Sequence, residues 1–109
     1  MIIGTGELET DLSSLKESNP QGYGYLKKYW RDAKQGLDNT NRNYVQVTHV
    51  YENIPDPDIG TRGLGQTLVI LAQLDVISVL TNRSNATIYD LTTYMSDRLT
   101  RIGHHLDQQ

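Results

Sequence analysis

The chain has no cysteine among its 109 residues. That excludes disulfides, thiolate metal sites and cysteine nucleophiles. Long apolar runs are also missing. The longest, residues 68–72, is far short of the ~18 apolar residues that mark a membrane-spanning helix. It is also too short for the apolar centre of a signal peptide, and the N-terminus lacks the basic-then-apolar order of a secretory leader. A soluble, cytoplasmic protein without a membrane partner is expected. Neither sign of charge dominates: ten bases face thirteen acids, for a net charge of −3. A bulk nucleic-acid packager would be strongly basic. Residues 1–62 hold seven bases and nine acids, and residues 63–109 hold three and four. Any contact with a polyanion must therefore rest on a local surface. There is no internal repeat, low-complexity tract, Gly-rich phosphate loop, Ser/His/Asp spacing or paired-acid helix, so neither an enzyme nor a cofactor is expected.

What is present fits a single small domain, which would gain from dimerisation because it buries a modest share of its surface. Residues 1–9 carry two glycines and few anchors and read as a loose arm. Residues 11–17 form a short helix with Leu12 and Leu15 inward. Asn19-Pro20 reads as a helix start, with Asn as cap and Pro at the first helical position. Tyr23, Leu26, Trp30, Ala33 and Leu37 then recur every three or four residues, the apolar stripe of a helix over 20–36 stopped by Gly36. That stripe and its aromatic cluster (Tyr23, Tyr25, Tyr29, Trp30) suit a core or a dimer contact better than base stacking. Lys27, Lys28, Arg31 and Lys34 suit a solvated face, with a second phosphate contact as the alternative.

Residues 44–51 (YVQVTHVY) are β-branched and aromatic and read as a strand, with His49 a packing or surface residue. Residues 54–65 hold two prolines and three glycines and read as a loop; Asp56 and Asp58 there belong to a turn. Residues 66–80 are the most apolar part of the chain and read as a central helix interrupted by Asp75 at an exposed notch. Thr87 and Asp90 resemble a capping box that opens a helix through Met95. Ser96 caps the next, in which Leu99, Ile102 and Leu106 form the apolar stripe. The expected fold is mainly α: a tri-helical helix-turn-helix core over 63–109, with an N-terminal helical and strand extension over 1–62 that serves dimerisation.

On a wheel, Leu99, Ile102 and Leu106 fall opposite Arg101, His104 and Gln108, with Arg98, Thr100 and His105 flanking. Gly103 lies beside the apolar stripe, where a missing side chain lets two helices approach. Arg pairs with guanine, Gln with adenine, and Thr or His with phosphates or base edges. Asp97 favours the helix dipole and repels phosphates or accepts from cytosine. The adjacent His104 and His105 point about 100° apart and have no third partner at metal-ligand spacing, so no metal is expected.

Residues 91–106 (LTTYMSDRLTRIGHHL) resemble the helix-turn-helix of winged-helix repressors of the ArsR and MarR type, whose pattern runs roughly L-A-x-x-L-G-L-S-x-x-T-V-S-R-H-L. Leu91, Met95, Ile102 and Leu106 match its apolar anchors, and His105 its histidine; Ser96 stands at a common Gly. Thr92, Asp97 and Gly103 depart from it. With the preceding helix, the resemblance covers about 45 residues. It implies a homodimeric transcriptional regulator that reads double-stranded DNA with helix 97–108, using Arg98, Thr100, Arg101, His104, His105 and Gln108. It also implies a wing hairpin after the third helix, so that either the wing is absent or the chain is a fragment of a longer protein. A small-molecule effector is not specified. The alternatives are an ordinary helical hairpin in a core, and a protein-interaction or viral or plasmid assembly adaptor. The adaptor is motivated by the acidic charge and the missing wing.

Overall fold

The computed structural model describes residues 5–83 and 86–108, with side chains over 8–81 and 87–108. The fold is mainly helical, with one small three-stranded antiparallel sheet. Helix α1 spans Thr5–Ser18. Leu8, Leu12 and Leu15 recur at helical spacing and are all buried. The arm expected over 1–9 is thus helical from Thr5, because Leu8 extends the Leu12–Leu15 stripe by one turn; residues 1–4 lie outside the described part.

Helix α2, Pro20–Asn39, starts where Asn19-Pro20 places it. The Asn19 carboxamide oxygen accepts the Gly22 N–H at 3.0 Å, satisfying one of the amides a helix start leaves open. Tyr23, Leu26, Trp30, Ala33 and Leu37 are all buried. Gly36 does not stop the helix. It sits inside it, buried, where Val50 and Ile54 press close. Because the stripe is consumed by α1 and the following helices, it is not available as the expected dimer contact.

The expected strand over 44–51 is only two residues long: β1 is Tyr44–Val45, and Val47–Glu52 form helix α3. The Gln46 N–H donates to His49 Nδ1 at 3.0 Å, which tightens the first turn. Val50 inside the helix and Ile54 just past its end are both buried against Gly36, tertiary packing that overrides local β-propensity. Helix α4 spans Thr61–Gln73 and so begins inside the expected loop.

The expected helix over 66–80 ends early. Asp75 takes a left-handed φ of 62°, its N–H donates to the Ala72 carbonyl, and the Val76 N–H reaches back to the Leu71 carbonyl at 2.9 Å. This is a Schellman stop with Asp in the position glycine usually holds. Leu71 and Val76 are both fully buried, supplying the apolar contact that accompanies the motif.

The chain then enters strand β2, Ser78–Arg83, and returns as β3, Ala86–Asp90. The expected helix over 87–95 is therefore a strand followed by a turn. Ile88 and Tyr89 pair across the sheet, and Asp90 Oδ1 accepts the Thr92 N–H at 2.9 Å to turn the chain out of β3. The sheet order is β1-β3-β2, with Val45 opposite Tyr89 and Tyr89 opposite Val79, and an irregular register between Val79 and Thr81. Helix α5, Ser96–Asp107, closes the fold.

One core runs through all of this. Helix α2 packs on α1, α3, α4 and α5, and β1 from the first half pairs with β3 from the second. The close approach expected at Gly103 is present: a Cβ there would lie 2.4 Å from the rigid Trp30 ring.

Candidate nucleic-acid interface

Two helices present polar faces outward. On α5, Leu99, Ile102 and Leu106 are fully buried against the core. Arg101, His104 and Gln108 are exposed, while Thr100 and His105 are half-buried. The Thr100 hydroxyl donates to the Ser96 carbonyl at 3.1 Å. Arg98 does not join that ridge. Its Nε donates to the Leu74 carbonyl at 2.7 Å, its guanidinium lies 3.9 Å from Asp11 Oδ2, and its side chain is only 14% exposed. The structure thus brings three of the six expected contact residues together and turns one into the support of α4.

On α4, Gly63, Leu64, Thr67, Leu68, Ile70 and Leu71 face the core. Thr67 is the buried polar residue of the core, and its hydroxyl donates to the Gly63 carbonyl at 2.9 Å. The opposite face exposes Arg62, Gln66, Val69 and Gln73. At about 100° per residue these four fall within an arc of about 60°. Val69 is 43% exposed in the middle of this polar stripe. Among the described residues, Arg62 has no ion pair and neither glutamine has a hydrogen-bond partner. Gly65, one turn before Val69, is half-buried beside α3, with Val47 3.9 Å from a Cβ built there.

Residues 61–65 read as loop in the sequence because of their glycines, which hid this face. The signal that finds it is Arg62, Gln66, Val69 and Gln73 at steps of four, three and four. Helix α2 flanks it. Asn19, Gln21 and Gly22 line a groove with Gln66, Val69, Ile70 and Gln73. Tyr25 touches Gly63, and Lys28 lies 5.3 Å from the Tyr29 ring centroid in a neighbouring groove with Tyr25 and Gln21. Two of the other α2 cations are less available. Arg31 pairs with Asp107, and Lys34 pairs with Asp38 at 2.6 Å.

Asp38 also anchors α5. Burial alone would raise its pKa, but hydrogen bonds from Lys34, Tyr94 and Ser96 outweigh it and hold the carboxyl below its ordinary value. Burial, and then the bond to Asp38, push the Tyr94 phenol well above the usual tyrosine range. The signs differ. A depressed carboxylate pKa stabilises the fold above the unfolded value of 3.8, and that stability is lost as pH falls through the folded value. A raised phenol pKa gives stability that is full below the unfolded value of 10.0 and is lost as pH rises beyond it. Denaturation midpoints are expected to fall at both pH extremes. Asp38→Asn should flatten the acid limb and Tyr94→Phe the alkaline limb. Unchanged limbs in these variants would remove the cluster's role.

Among the described residues no group of three or more His, Asp or Glu is placed to hold a metal ion, and no helix is long and apolar enough to cross a membrane. No family model, curated protein or solved structure matches the chain.

Proposed function

We propose that the chain is a winged-helix protein that binds double-stranded DNA through α4, acting as a homodimeric transcriptional regulator without enzymatic activity. In this reading α3 and α4 are the helix-turn-helix pair and the β2–β3 hairpin is the wing. The wing then precedes α5, inside the chain. Support comes from the order helix, strand, helix, helix, hairpin and from the β1-β3-β2 sheet, an arrangement that resembles that of winged helices. The observation that carries the proposal is the exposed α4 stripe of Arg62, Gln66, Val69 and Gln73, in which the Arg62, Gln66 and Gln73 side chains have no partner among the described residues.

A helix fits the major groove, which is about 12 Å wide. From Arg62 to Gln73 the stripe extends about 16 Å along the helix axis, enough for one half-site. Arg62 in the first turn and Lys28 on the flank are placed to meet phosphates. With so few cations and a net charge of −3, non-specific binding is weak and discrimination falls to the base edges.

A second reading, a protein-binding module, draws on the exposed Tyr44, Leu80 and Met95. Anisotropy titrations with labelled duplex at low salt separate the two. The expected result is binding that weakens about tenfold in Arg62→Ala, with Arg101→Ala behaving as the parent. The reverse pattern would return the site to α5. No binding to any duplex, together with a stable complex with a protein, would favour the second reading.

A further inference from the structure

We infer that α4 reads an A·T-rich major groove, with Gln66 and Gln73 on adenines and Val69 on a thymine methyl; the inference rests on the DNA-binding reading of this face. The two glutamines are seven residues apart, about 10 Å along the helix axis and about 20° apart around it. They therefore point the same way, separated by about three base-pair steps at 3.4 Å each. A carboxamide offers a donor and an acceptor side by side, the complement of adenine N7 and N6 in the major groove. Both carboxamides are exposed and have no hydrogen-bond partner among the described residues, which leaves them available to a ligand.

Val69 decides the character of the site. It lies between the glutamines on the same face and is 43% exposed, although the rest of the apolar side of α4 is buried. A branched apolar side chain there offers no hydrogen bond to guanine or cytosine but does offer van der Waals contact to the thymine C5-methyl. The α4 sequence has a single cation, Arg62, at the N-terminal end of the stripe. The commonest guanine reader, a cation reaching O6 and N7, is therefore missing from the part of the face between Gln66 and Gln73. Hydrogen-bond complement, apolar complement and the position of the lone cation all favour adenine and thymine.

The test is selection from a randomised duplex library by the intact chain, followed by sequencing of the retained pool. The expected pool is enriched in A·T pairs, with two adenines about three steps apart. Gln66→Ala and Gln73→Ala should each lower affinity for the selected duplex about tenfold while leaving affinity for a G·C duplex unchanged. Val69→Ser should reduce the preference for thymine over uracil, which lacks the methyl. All three positions are exposed, and the fluorescence of Trp30 reports whether each variant is folded. A retained pool with the composition of the input, or one rich in G·C, would overturn the A·T assignment while leaving DNA binding in place. Retention of no duplex would overturn both.

Discussion

Gly103→Ala is expected to lower the stability of the fold by about 1–3 kcal/mol. The added Cβ would lie 2.4 Å from Cε2, Cζ2 and Cη2 of Trp30, three atoms of one rigid ring. The ring has little room to retreat. It is 5% exposed, its N–H reaches Asp107 Oδ1 at 3.4 Å, and the Arg31 guanidinium lies 4.6 Å from its centroid while pairing with the same aspartate. Alanine gains up to about 1 kcal/mol of helix propensity over glycine. That gain acts in the opposite direction and is too small to absorb a contact more than half an ångström inside the closest real approach. Helix α5 must then shift on α2 and drag Leu99, Ile102 and Leu106 with it.

Trp30 is the only tryptophan, so a denaturant titration followed by its fluorescence reads both the midpoint and the local environment. Trp30→Phe shrinks the ring, and Gly103→Ala should be less costly in that background. A coupling of about 0.5–3 kcal/mol is expected in the double-mutant cycle, read by circular dichroism. A Gly103→Ala midpoint at or above that of the parent would show that the interface is not set by this contact.

This contact was legible in the sequence because helical spacing alone places Gly103 beside Leu99, Ile102 and Leu106. The start of α2 was legible for a similar reason: Asn19 and Pro20 act through their own backbone geometry. The errors arose where a remote partner decides the outcome. Residues 47–52 carry β-branched side chains, yet they form a helix that buries Val50 against Gly36, with Ile54 beside it just past the helix end. The stop of α4 was hidden because Asp75 does the work usually given to glycine. A helical reading of residues 76–80 hides the β2–β3 hairpin and its pairing with β1, and with them the hairpin that separates α4 from α5. The candidate face on α4 was lost as well. Arg62 was placed in a loop, and the periodicity linking it to Gln66, Val69 and Gln73 was cut at its start.

Arg98 shows how a cation that suits DNA by type can be taken by the fold. Its Nε donates to the carbonyl of Leu74, the residue that caps α4. Carbonyls in the last turn of a helix have no partner within it, and a cation there also meets the negative end of the helix dipole. Arg98→Ala leaves this carbonyl without its charged donor and removes a side chain that is 14% exposed. The expected loss of stability is about 1.5–3 kcal/mol, the range for a hydrogen bond to a charged group. Arg98→Lys should recover part of it. An arginine that contacts phosphate behaves differently: its loss lowers the dependence of binding on salt by about one unit of slope and leaves the melting transition alone. Thermal melts and salt titrations with duplex DNA on the same variant therefore separate the two roles. A lowered melting temperature with an unchanged salt slope is expected. An unchanged melt with a shallower slope would make Arg98 a phosphate contact and place the proposed DNA-binding face on α5.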